Sequence, residues 1–222
     1  MDATGVLLTE VTNLPGPLLA GGASARVRAL GLSWAGDASL RLLEVLPVLL
    51  PKPPSCLPKS WYRHVYCLAS MSARLAPRAP DDAIQQALLS CSALQLLAAC
   101  TPGVLLTAQA AARDQAISLV EALAGLGVEM AALEAGIGRS WRLPPAHDPV
   151  IAGHAVLIAR WLLGLKRMPS PVDPHPPEPS AGQLRSLGLG ADALVAAIAS
   201  MTAAVDDGRR LQRLVGERSR RR

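Results

Sequence analysis

Phenylalanine is absent from this 222-residue chain, aromatic residues make up 3% of it, and charged residues reach only 18%. A typical soluble domain carries about 25% charged residues. Lysine is nearly missing as well, at three of the 22 basic residues. Together with the alanine and leucine excess, this skew reads as the mark of a GC-rich genome and carries no functional weight. The four cysteines, Cys56, Cys67, Cys91 and Cys100, are too few for a disulfide scaffold. They also lack the paired short spacing of a zinc site. Alternation of apolar and polar residues is missing, which excludes a half-buried sheet. No repeat of solenoid period is present.

What is there is apolar and helical. Half of the residues are hydrophobic, which excludes a mainly disordered chain. The length suits one domain, or a large and a small one, and buries roughly 70% of the unfolded surface. The pattern predicts an all-α fold, an irregular bundle of roughly seven to nine helices with proline-rich connectors.

Prolines and glycines divide the chain. Residues 1–50 form an N-terminal helical region, with helices over Leu18–Leu30 and from an Asp37 N-cap through Leu40, Leu43 and Leu46. Residues 51–59 are a proline-rich connector, and residues 60–168 are the main helical body. Within the body, Trp61, Val65, Leu68 and Leu75 make one apolar face over Ser60–Ala76. Asp81 is expected to cap the next helix. Thr101-Pro102 reads as N-cap and first helical residue of another, which runs through Val104, Ile117, Val120 and Leu123 to Gly125 or Gly127. Val128–Leu133 begins a further helix, loosened by Gly136 and Gly138. Asp148-Pro149 repeats the cap-then-proline signal before Ile151, Val156, Ile158, Trp161, Leu162 and Leu165. Residues 169–180 are a second proline-rich linker, expected to be exposed and semi-rigid. Residues 181–208 hold a C-terminal helix over Ala191–Val205, and residues 209–222 are a basic tail.

Residues 83–112 contain no charge, and a stretch of that length is long enough to cross a bilayer. Ser90, Ser92, Gln95 and the Thr101-Pro102-Gly103 break favour two buried helices meeting at a turn. The acidic start, Met1-Asp2, lacks the positive region of a secretory signal. The expected location is cytoplasmic, at most peripheral to an inner membrane through partners.

The net charge of +5 is unevenly placed. Arg209, Arg210, Arg213, Arg218, Arg220, Arg221 and Arg222 face one acid, Glu217, so the tail carries +6 and the rest of the chain −1. A nucleic-acid-binding domain spreads its basic residues over a folded face. A tail of this kind reads as a solubilising end, or as a contact for nucleic acid, acidic protein or anionic lipid.

Signatures of chemistry are scarce. His147 and His154 lie seven residues apart, with Asp148 beside the first. Pro149 opens the helix between them, so they do not share one helical face. Gly136-Ile137-Gly138 lacks the strand that a nucleotide loop requires. No Gly-x-Ser-x-Gly element and no Cys/His signature is present. No catalytic, cofactor-binding or metal-binding residue is assigned, and no small-molecule substrate is expected. The large aromatics Trp61, Tyr62, Trp141 and Trp161 read first as core anchors, with interface hot spots as the other reading.

The order of pieces resembles one family. Leu57-Pro58 enters an aromatic helix ending near Arg74-Leu75, an uncharged helical middle follows, and a tryptophan-containing helix closes on Lys166-Arg167-Met168-Pro169. Over Leu46–Pro169 this is similar to the SctK/OrgA accessory proteins of bacterial type III secretion, including their NolU-type members. The resemblance implies a non-catalytic cytoplasmic adaptor. Such a protein links the cytoplasmic face of the injectisome's membrane ring to the sorting platform, and its partners are other protein subunits. The alternatives are a small helical enzyme, chaperone or regulator with a pocket near His147, Asp148 and His154, or contact with nucleic acid through the arginine tail.

Overall fold

The protein is described by a computed structural model. It covers residues 57, 61–140, 143–165, 173, 175–190, 192–199, 201–203, 205, 206 and 209. Seven helices follow in order: α1 (Trp61–Leu75), α2 (Pro80–Cys100), α3 (Pro102–Gln115), α4 (Leu119–Gly125), α5 (Met130–Ser140), α6 (Pro149–Leu165) and α7 (Ala181–Ser186). Residues 192–199 form an eighth, α8. No strand occurs among the described residues, and the fold is all-α. The expectations for residues 1–50, for Trp141 and for the tail beyond Arg209 lie outside the described residues.

The core is organised around α2. Its apolar residues cover every side, and 16 of its 21 residues are buried. A helix that is hydrophobic all round needs neighbours all round. It packs against α1, α6, α5 and α3, while α1 and α6 also pack on each other. The helix is long and apolar enough to cross a membrane, and 83% of its most apolar window is buried inside the bundle.

The polar residues of α2 are matched to its neighbours. Gln95 Oε1 accepts from Trp61 Nε1 on α1 at 3.3 Å. Gln86 Nε2 donates to Glu134 Oε2 on α5 at 2.7 Å. Gln85 Nε2 donates to the Pro144 carbonyl ahead of α6 at 2.8 Å. Ser92 Oγ bonds back to the Leu88 carbonyl of its own helix at 2.7 Å. Burying such groups without partners is costly, so the pairings restrict how helices can sit around α2.

The ends of α2 and α6 are tied together. Asp148 caps α6, its Oδ1 accepting from Ile151 N at 3.0 Å. Its own backbone N–H donates to the buried Asp82 Oδ2 at 2.9 Å. The cap-then-proline reading of Asp148-Pro149 therefore holds.

Other local expectations are corrected. Helix α2 starts at Pro80 with Ala79 at the cap position, and Asp81 sits in the first turn, where its charge suits the helix dipole. Thr101 precedes α3 without a side-chain cap, because its Oγ1 donates back to the Leu97 carbonyl at 3.3 Å. The expected long helix from Pro102 is two helices. It breaks at Ala116, which takes the left-handed conformation at φ 53. Ser118 then restarts the chain with a capping box: its hydroxyl accepts from Glu121 N at 3.2 Å, and the Glu121 carboxylate accepts from Ser118 N at 2.9 Å. Helix α5, expected to begin at Val128, begins at Met130 and runs through Gly136 and Gly138 to Ser140.

Candidate functional site

Four titratable side chains from separate parts of the chain meet around one small cavity: His64 of α1, Cys91 of α2, Arg160 of α6 and Asp173 of the second proline-rich linker. Leu94, Leu119, Val120, Met130, Leu163, Gly164 and Pro176 complete the lining. About 30 Å³ is open to water centres. At about 10–15 Å³ for one water, this leaves room for roughly two or three ordered waters.

Helix periodicity places these groups. His64 lies three residues after Trp61, one turn along α1, and its ring stacks on the indole with centroids 5.8 Å apart and planes at 28°. Cys91 lies in the buried middle of α2, beside Ser90. Arg160 reaches from α6 and donates to Ser90 Oγ. Asp173 Oδ1 accepts from Leu119 N, the first residue of α4, at 3.0 Å, and from His175 N at 3.2 Å.

Burial and the guanidinium set the protonation states. Burial, reinforced by the positive charge of Arg160, pushes His64 down to about 4, so the imidazole is neutral near pH 7 and a weak base. Burial drives the Cys91 thiol up to about 12; Arg160 opposes this and Glu134 adds to it. That thiol is not ionised at neutral pH and is a poor nucleophile. Burial also raises Asp173 above the usual carboxylate range, against the hydrogen bonds from Leu119 and His175 and the charges of Arg160 and His175. Neither His64 nor Cys91 is tuned for acid–base or nucleophilic work near pH 7.

The linker that carries Asp173 was expected to stand exposed. Within its described part His175, Pro177, Glu178 and Ser180 are exposed, while other residues are seated against the body. Pro179 is buried and Pro176 partly so. Pro176 lies on α6 at Gly164, where an added Cβ would stand 3.0 Å from Pro176 Cγ. Glycine at this position allows the proline ring its close approach.

The residues singled out in the sequence are dispersed. Trp61 is fully buried and serves as a core anchor. Trp161 is partly buried against the same core. Trp141, the side chain of Tyr62, and Arg210, Arg213, Arg218, Arg220, Arg221 and Arg222 lie outside the described residues. Arg209 is exposed and pairs with Asp206 at 3.2 Å. His147 is exposed on the loop before α6. His154 on α6 is 2.7 Å from Ser186 Oγ of α7. Because the Ser186 hydroxyl donates to the Gln183 carbonyl at 2.7 Å, its oxygen accepts from the His154 Nδ1–H. Among the described residues no group of three or more His, Cys, Asp and Glu could hold a metal ion.

Sequence reasoning did not find the cavity. No local spacing links His64, Cys91, Arg160 and Asp173, and only the packing of α1, α2, α6 and the linker brings them together. No protein-family model, no curated protein and no solved structure matches this chain.

Proposed function

We propose that this chain is a non-catalytic adaptor, a scaffold protein that works by binding other proteins, and that it serves a bacterial type III secretion apparatus as a cytoplasmic sorting-platform accessory. Three features support the reading. The fold is an all-helical bundle whose longest helix is enclosed by its neighbours. The cavity keeps its thiol and imidazole neutral and has room for a few waters. The order of pieces from Leu57-Pro58 to Lys166-Arg167-Met168-Pro169 resembles the SctK/OrgA accessory proteins. The third of these carries the most weight, since it alone points toward a secretion apparatus.

In this account helix surfaces dock on partner domains and nothing turns over. Contact with the inner membrane is indirect, through ring subunits. The direct test is capture of the tagged full chain from its own cells with mass spectrometry of what co-purifies. Ring or sorting-platform subunits are expected. Recovery as a lone monomer, under conditions that keep the ring intact, would overturn the assignment.

A further inference from the structure

We propose that α3 is a self-association surface: two copies of this chain pair α3 against α3, antiparallel, with Thr107 of each level with Ala110 of the other. The pairing goes beyond the adaptor reading and does not depend on it.

Helix α3 packs on α2 and α4 and buries Leu105, Ala108 and Ala112. Gly103, Leu106, Thr107, Ala110 and Asp114 are exposed. Counted from Gly103, the other four lie 3, 4, 7 and 11 residues on, which sets all five on one face, opposite the buried one. The outward face of a surface helix ordinarily carries charge, and this one has none before Arg113. It is instead a knob beside small residues. Leu106 keeps 52% of its surface exposed. Gly103 and Ala110 lie two turns apart along the middle of the face, and nothing stands within 4 Å of a Cβ built on Gly103. Small side chains at the contact let a second helix approach closely.

The two ends of the face complement each other in charge. Asp114 lies in the last turn of α3, where the helix dipole disfavours a negative charge. Its carboxylate has no hydrogen bond or ion pair among the described residues. At the other end α3 begins without a side-chain cap, because Thr101 is turned back to Leu97. The Gly103 N–H, at the second helical position, has no acceptor within the helix. An antiparallel pair with Thr107 level with Ala110 also sets Asp114 of each copy level with Gly103 of the other, since both matches are centred on the same point of the helix. Each carboxylate then meets an uncapped helix start, once at either end of the pair. Leu106 shares a flank with Arg113 of the second copy, whose aliphatic stem can cover it. A parallel pair would set the two Asp114 carboxylates side by side, which is repulsive. The face is therefore complementary to itself, as an isologous twofold contact requires, and a second copy of this chain is the occupant.

The test is sedimentation equilibrium of the full chain from about 1 to about 300 μM, a range suited to one helix face, which is small for a specific interface. The wild type is expected to pass from monomer to dimer within that range. Gly103→Gln is the decisive variant. The open space around Gly103 and the low helix propensity of glycine mean that the folded monomer tolerates it, whereas the longer side chain fills the gap the second helix needs. Association is expected to weaken about tenfold or more. Asp114→Lys suits the dipole of the isolated helix and should weaken the pair about fivefold or more, since the favourable contact is lost at both ends. Melting curves taken alongside separate lost association from lost fold, and Ala110→Gln reads the same contact should Gly103→Gln melt early. A wild-type chain that stays monomeric throughout would overturn the proposal. So would a dimer that Gly103→Gln leaves at full strength, which would place the contact elsewhere on the chain. A dimer weakened by Gly103→Gln but tightened by Asp114→Lys would overturn the antiparallel pairing.

Discussion

Trp61 on α1 donates its indole N–H to Gln95 on α2 at 3.3 Å, across 34 residues of sequence and inside the core. The indole is fully buried, so one side chain supplies both the largest packing volume of α1 and a directional link to the central helix. The two contributions separate by substitution. Trp61→Ala is expected to cost about 3–5 kcal/mol through lost burial and a residual cavity. Trp61→Phe keeps most of the area and should cost about 1–2 kcal/mol, mainly for the lost hydrogen bond. Urea unfolding followed by circular dichroism measures both. Equal losses in the two variants would contradict this division.

His64 gives the protein an acid-sensitive term. The folded chain holds its pKa down at about 4, while the unfolded chain takes up a proton near 6.5. The stability this supplies is complete above 6.5 and is lost as the pH falls through that window. The slope approaches about 1.4 kcal/mol per pH unit where only the unfolded state is protonated. Asp173 acts in the opposite sense. Its raised pKa means that protonation favours the folded state, so acid relieves the cost of its buried charge. His64→Gln should flatten the fall in stability between pH 6.5 and 4, as read by denaturant midpoints across that range. An unchanged slope in the variant would rule out His64 as the source.

The break between α3 and α4 combines a strained residue with a strong restart. Ala116 sits in the left-handed region, where a Cβ costs roughly 1–2 kcal/mol. Ala116→Gly removes that strain but raises the entropy of the unfolded chain, and a net gain of about 0.5–1 kcal/mol is expected. Ser118→Ala removes the hydroxyl that accepts from Glu121 N and should lose about 1 kcal/mol. The Glu121 carboxyl is held below its ordinary 4.5 by the Ser118 backbone and side-chain bonds. Its contribution is therefore present above 4.5 and disappears as the pH drops through the depressed value. Thermal melts of the two variants are expected to move in opposite directions.

The cysteines differ enough to be told apart chemically. Cys100 is exposed, Cys67 and Cys91 are buried, and the Cys91 thiol is pushed to about 12. Iodoacetamide near pH 8 should modify Cys100 readily and leave Cys67 and Cys91 intact until the fold is lost, as mapped by peptide mass spectrometry. Fast alkylation of Cys91 in the folded chain would mean that the cavity stands open.

Local rules carried the sequence reading as far as they reach. Proline at a helix start marked α3 and α6, whereas Pro80 reads as closing α1 and Asp81 as the cap of α2; the Asp148 cap was visible because an N-cap acts on residues three positions away. The apolar face of α1 was legible from Trp61, Val65 and Leu68. The Ala116 break was not, since alanine is the strongest helix former and gives no stop signal. The capping box from Ser118 to Glu121 was the available clue, and the spacing of Val120 and Leu123 masked it by continuing the apolar run. Helix α7 was missed for the same kind of reason: Ser180 and Gln183 form a capping box, but a six-residue helix shows little periodicity. The cavity lay beyond local reasoning altogether. Its four titratable groups acquire their protonation states from burial and from Arg160, neither of which has a sequence spacing.

The most direct measurement of the central claim is the secreted-protein profile of a strain lacking this chain. The account predicts loss of type III substrates from the medium and full restoration by the wild-type chain. It also predicts full restoration by a folded Cys91→Ala or His64→Gln variant, because binding surfaces and not cavity chemistry do the work. Normal secretion in the deletion strain, or a folded cavity variant that fails to restore it, would contradict the account.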